Sequence, residues 1–243
     1  MNKRGQVTIF IILAILIVAS VVLFFVFRDN LGIEETKDIQ SSLVVNFVEG
    51  CMDKTLNNSI YAVAANGGYS GYSYFSRQST ESGVRYYFFR ESNYMPSKSL
   101  VEKQIEEYFK RKFFICINDF SDFNGYSVEE GLLKVSVRIK EEKVVLEADY
   151  PLTIVQGKNK VRVRDFKSEI PSRLNIIYSS VKYFIDNHKN RKSLCLGCLK
   201  MAIENDIYID MESSYDGTVV FIFRDNSPEL NSKPIEWVFA NRY

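Results

Sequence analysis

Cys195 and Cys198 stand three residues apart at the expected start of a helix, with His188, Lys189, Arg191 and Lys192 just upstream. A helix N-terminus with cations nearby stabilises a thiolate, and the thiolate is the nucleophile of thiol–disulfide exchange. The same spacing also suits a local structural disulfide. It would make half of a four-thiolate zinc site if Cys51 and Cys116 came to the same place. The context favours the structural disulfide. A thioredoxin-like site sets its CxxC directly after a strand, whereas a helix and a basic loop precede this one. Cys51 and Cys116 each fall on an apolar helical stripe and are expected to bridge two helices. No metal or other cofactor is expected.

His188 is the only histidine, so a His-dependent triad or a two-His metal site cannot be assembled. The carboxylate pairs Glu34-Glu35, Glu106-Glu107, Glu129-Glu130 and Glu141-Glu142 are sequence neighbours. Neighbours diverge by about 100° on a helix and face opposite sides of a strand, so these pairs read as solvated positions. The chain has no Gly-rich phosphate loop, no GxSxG elbow and no calcium-loop pattern. No catalytic residue is expected. The chemistry therefore points to binding or assembly, with a membrane-tethered thiol–disulfide oxidoreductase as the enzymatic alternative.

The element that must place everything else is the uncharged stretch 7–27, VTIFIILAILIVASVVLFFVF, in which only Thr8 and Ser20 are polar. At about 1.5 Å per helical residue it spans about 30 Å, the thickness of a bilayer's hydrocarbon core. It exceeds the apolar run of about 7–15 residues in a cleavable secretory signal. Lys3 and Arg4 precede it, while Arg28 and Asp29 follow it with Glu34 and Glu35 close behind. The positive-inside bias thus sets the N-terminus in the cytoplasm and residues 29–243 outside. A single-pass cell-membrane protein with the lipid bilayer as partner is expected.

An even cysteine count suits that oxidising side, with disulfides expected among Cys51, Cys116, Cys195 and Cys198. Asn57-Asn58-Ser59 is a glycosylation sequon, with Asn57 as acceptor. Removing Lys3, Arg4 and Arg28 from the count leaves 28 basic against 30 acidic residues, near −2. Such a domain lacks the concentrated positive face that nucleic-acid binding demands.

Met1-Asn2-Lys3-Arg4-Gly5-Gln6 directly before an apolar helix resembles an archaeal class III signal peptide, the type carried by pilin-like proteins. Gln6 and Thr8 match that pattern, and Phe10 stands where the family has Glu. The resemblance implies cleavage between Gly5 and Gln6 and a pilin-like filament subunit as a further alternative. The Glu is associated with subunit packing in that family, and Phe10 in its place favours an uncleaved start at Met1. The rest of the chain is similar to singly anchored archaeal surface proteins.

Three regions follow: a cytoplasmic tip and anchor over 1–28, a helical and aromatic-hairpin region over 29–124, and an antiparallel sheet with helices over 125–243. The first amphipathic helix runs from Glu34, after a turn at 29–32, with Ile39, Leu43, Val44, Phe47, Val48, Cys51, Leu56, Ile60 and Val63 on its stripe. Gly67-Gly68 ends it. Residues 67–94 carry nine of the chain's 34 aromatics in about an eighth of its length. They form either a hairpin packed over the helix or, at 69–94, a surface for a glycan or partner protein. A second helix follows Pro96, with Ser99 and Glu102 at capping-box spacing and Val101, Ile105, Tyr108, Phe109, Lys112 and Cys116 along its face.

From Gly125 the period changes to two, giving strands over 133–139, 144–150, 152–155 and 160–164 with a kink at Pro151. Pro171 opens a third helix bearing Leu174, Ile177, Val181 and Phe184, and a fourth begins at the CxxC. Strands over 207–212, 218–224 and 235–240 close the chain. The expected fold class is α+β, an N-terminal transmembrane helix followed by amphipathic helices packed on an antiparallel β-sheet.

Overall fold

In the computed structural model, residues 14–21, 41–71, 79–188, 195–214, 216–227 and 233–243 are described. The chain divides into the units Met1–Ile39 and Gln40–Tyr243. In the first, residues 14–21 are helical and exposed. No helix among the described residues is long and apolar enough to cross a membrane. Apart from 14–21, the stretch 7–27 lies outside the described residues, as do Gly5, Gln6 and the turn at 29–32.

The second unit opens with helix α1 (Ser41–Ala65). Val44, Val48, Cys51, Met52, Leu56, Ile60 and Val63 recur every three or four residues and are buried. Leu43, expected on that stripe, is exposed. Gly67 and Gly68 terminate α1, their amides bonding back to Ala64 O at 2.9 Å and Val63 O at 2.8 Å. Both have positive φ, and a Cβ on Gly67 would lie 2.6 Å from Val238 O, so only glycine fits there.

Strands β1 (Tyr86–Phe89) and β2 (Ser92–Asn93) form a tight hairpin. Helix α2 (Lys98–Ile117) is capped by Ser97, whose side chain accepts the Leu100 amide at 3.2 Å. The expected cap at Ser99 is thus displaced by two residues. Its buried face is Val101, Ile105, Phe109, Phe113 and Ile117, which leaves Lys112 exposed.

Four strands build the first sheet: β3 (Ser127–Glu130), β4 (Lys134–Ile139), β5 (Lys143–Gln156) and β6 (Asn159–Pro171). Long β5 pairs antiparallel with β6 along one side, and with β4 and then β3 along the other. Two expected strands are thus one. Pro151 sits at the register shift between Asp149 and Leu152, where a residue without an N–H is tolerated. Pro171 closes β6 instead of opening a helix.

Helix α3 (Leu174–His188) buries Leu174, Ile177, Val181 and Phe184. Helix α4 (Leu196–Glu204) leads into β7 (Ile207–Ser213), β8 (Thr218–Asp225) and β9 (Glu236–Arg242). The second sheet has the order β2-β1-β9-β8-β7. Its β1–β9 pair is parallel, so this sheet is mixed, and the expectation of an antiparallel sheet holds only for the first. The fold is α+β, with helices packed on both sheets. Its core joins the α1 and α2 stripes to the aromatic cluster of Tyr87, Phe184, Phe221, Phe223, Trp237 and Phe239.

Candidate functional site

Cys51 and Cys116 form a disulfide that ties α1 to α2, with Cα atoms 5.7 Å apart. Cys195 and Cys198 form a second, local one. The zinc reading required all four thiolates at one ion, and these two bonds consume them instead. Among the described residues no group of three His, Cys, Asp or Glu could hold a metal ion.

Cys195 is the N-cap of α4, its backbone extended and its Sγ accepting the Cys198 amide at 3.0 Å. Cys198 is fully buried, whereas Cys195 is half-buried. His188 lies in the core, its ring stacked on Phe184 and its Nδ1 2.6 Å from the Tyr243 hydroxyl. Burial pushes the Tyr243 phenol above its usual value. Lys189, Arg191 and Lys192 fall outside the described residues.

The aromatic segment divides. Tyr86, Tyr87 and Phe88 are buried. Tyr87 donates to Gly67 O and accepts the Trp237 indole N–H, both at 2.8 Å, and it stacks on Phe239 with ring centroids 4.6 Å apart. These rings are core, so they are closed to a ligand. Tyr69 carries the Arg85 guanidinium 4.5 Å above its ring, and 72–78 lie outside the described residues.

Glu106 and Glu130, both read as solvated, have structural partners, and so does Glu102, expected at a helix cap. Glu106 Oε1 accepts the Val137 amide at 2.9 Å, and Glu102 accepts that of Ile139 at the same distance. These are alternate N–H groups on the free side of β4, so α2 satisfies an otherwise open sheet edge. Glu130 accepts a hydrogen bond from the buried Tyr150 hydroxyl; burial first, and this carboxylate second, push that phenol up.

A groove of about 800 Å³ opens between α1 and α2, beside the Cys51–Cys116 bond. Lys54, Asn57, Asn58 and Tyr61 line it from α1, Tyr108 and Lys112 from α2, and Lys233 from the segment before β9. The Tyr61 hydroxyl donates to Lys233 O at 2.8 Å and so fixes that segment against α1. Its lining has three exposed lysines and no carboxylate among the described residues. None of the three lysines makes an ion pair among the described residues.

Asn57, the sequon acceptor, is half-exposed in this groove on a continuous helix. Ser59 of the same sequon is buried and donates to Thr55 O at 2.6 Å. Helical phase could have placed Lys54, Asn58 and Tyr61 together, but Lys233 reaches the groove only through tertiary structure.

No protein-family model, no curated protein and no solved structure matches this chain.

Proposed function

We propose that this chain is a membrane-anchored, extracytoplasmic binding protein whose binding face is the α1–α2 groove. In this reading, residues 7–27 anchor it with the N-terminus in the cytoplasm, and Cys51–Cys116 matures in an oxidising compartment. The observation that carries the binding role is the lining of the groove: three lysines, two tyrosine rings, two asparagines and, among the described residues, no carboxylate. Ammonium groups attract carboxylates, and tyrosine rings offer flat faces to sugar rings. An acidic surface glycan combines both features. It replaces the buried rings of 86–88 as the glycan contact.

The test is binding of the full chain, in lipid nanodiscs, to polygalacturonate with neutral dextran as control. The acidic polymer is expected to bind, more weakly as salt rises, and Lys54→Glu/Lys112→Glu should reduce affinity by roughly tenfold or more. Equal binding of dextran, or an unchanged affinity in the variant, refutes the groove as the site. Membrane-impermeant thiol labelling of cysteines placed after residue 40 should succeed on intact cells. Labelling only after lysis would reverse the topology.

A further inference from the structure

We infer that Cys195–Cys198 is an exchange-active disulfide whose substrates are apolar, cysteine-bearing polypeptides. This inference is independent of the groove and rests on three features of α4. The two cysteines are unequal, since Cys198 is fully buried while Cys195 is half-buried. Of the two, only Cys195 keeps surface in contact with water, so an external thiolate approaches the bond from its side. That sulfur caps the helix and accepts the Cys198 amide at 3.0 Å, so a thiolate there is stabilised by an N–H group and by the positive end of the helix dipole. A stabilised thiolate is a good leaving group, so Cys195 is readily expelled when the mixed disulfide is resolved.

The third feature is the surface around it. Leu196, Leu199 and Ile203 are 85%, 40% and 77% exposed and recur at three and four residues, so they form one stripe running from the disulfide along α4. Exposed Tyr183 and Tyr208 lie on the neighbouring α3 and β7. The opposite side of α4 is already satisfied, with Cys198 and Ala202 buried. A helix that sets leucine and isoleucine in water beside a reactive sulfur offers a seat to apolar side chains flanking a substrate cysteine. That occupant is chosen by the bond itself, which exchanges only with thiols.

The exchange closes on its own atoms. A substrate thiolate attacks Cys195 Sγ; the Cys195–Cys198 bond breaks and Cys198 leaves as thiolate. The second substrate thiolate then attacks the substrate sulfur of this mixed disulfide and expels Cys195. Two electrons pass from the substrate dithiol to the protein, and the two thiol protons end on Cys195 and Cys198. The substrate leaves with a disulfide.

The test uses the full chain in nanodiscs. The wild-type protein, mixed with a reduced dithiol peptide bearing Leu and Phe beside its cysteines, should lose its Cys195–Cys198 bond as the peptide gains one, while Cys51–Cys116 persists. In Cys198→Ser, the lone Cys195 should trap the disulfide form of that peptide as a covalent adduct, about tenfold faster than it traps glutathione disulfide. Cys195→Ser should trap neither. Adding Leu196→Ser/Ile203→Ser to Cys198→Ser should abolish the preference for the peptide and leave the glutathione rate unchanged. A wild-type chain that transfers no disulfide overturns the inference, as does equal trapping by the two cysteine variants. Equal rates with peptide and glutathione disulfide in Cys198→Ser overturn the assignment of a polypeptide substrate.

Discussion

Around the β5–β6 ribbon, α1 and α2 are joined covalently by Cys51–Cys116. In the C-terminal sheet, the task of pinning helices to strands falls to a buried ion pair. Arg173, just before α3, donates from Nε to Asp225 Oδ1 at 3.0 Å and from Nη2 to Asn205 O beyond α4, and Asp225 closes β8. One guanidinium thus fastens three element ends, and Asp225 Oδ1 also accepts the Ser227 amide at 3.1 Å. The first region has a covalent tie between two long amphipathic helices. The second has a short helix with exposed leucines and a disulfide that ties it to nothing beyond its own first turn. A bond across 65 residues restrains the unfolded chain, and a bond across three restrains it little. The difference separates a disulfide that restrains the fold from one that restrains it little, as the proposed exchange requires.

Replacing Cys51 and Cys116 by alanine should have the largest effect. In the chain-entropy account their loop stabilises the protein by about 4 kcal/mol, which corresponds to a fall in melting temperature of about 10 °C. Calorimetry of oxidised wild type against the double variant measures it. A fall of a degree or two would mean that packing of the α1 and α2 stripes already supplies the restraint.

Arg173→Met follows, at about 3 kcal/mol. The substitution keeps much of the apolar stem and leaves the Asp225 carboxylate, 2% exposed, without its cation. Denaturant unfolding should register the loss, and Asp225→Asn in the same chain should recover part of it by removing the stranded charge. No recovery would show that Arg173 acts through the Asn205 carbonyl instead.

Cys195→Ala/Cys198→Ala should cost about 2 kcal/mol or less, because the closed loop is so short. A destabilisation equal to that of the Cys51/Cys116 pair would erase the contrast between the regions and return Cys195–Cys198 to a structural role.

Much of the first region was legible in the sequence because its signals are periodic. Val44, Val48, Cys51 and Ile60 on α1, with Val101, Ile105, Phe109 and Cys116 on α2, announce two facing stripes, and the phase of the cysteines follows from them. Glu102 misled for the opposite reason. Its spacing from Ser99 suits a cap, but its carboxylate reaches the Ile139 amide, a partner 37 residues away that local spacing does not encode. The β1–β9 pairing was hidden in the same way, since Tyr86 and Ala240 lie far apart in sequence and meet in a parallel register. The exposure of the α4 stripe was hidden too. Leu196, Leu199 and Ile203 read as core by type, and their exposure is set by tertiary structure that their spacing does not encode.

The smallest expected effect sharpens the contrast between buried and exposed ion pairs. Glu169 on β6 lies between Lys143 and Lys167, at 2.5 and 2.7 Å, on the exposed side of the ribbon. Hydrogen bonds from the two ammonium groups hold its carboxyl down to about 2. A depressed carboxyl contributes stability above its unfolded value of about 4.5, and that contribution is lost as pH falls from there through about 2. Water and salt screen a group on the exposed face, so the loss should be slight, and it should shrink further in molar salt. Side-chain carboxyl shifts followed by NMR between pH 5 and 2 should show Glu169 still ionised well below pH 4.5, with its midpoint at about 2. Lys143→Ala should raise its midpoint. A midpoint near 4.5 in the wild type would mean that the two lysines do not hold the carboxylate in solution, and the ribbon's exposed face would then contribute nothing against acid.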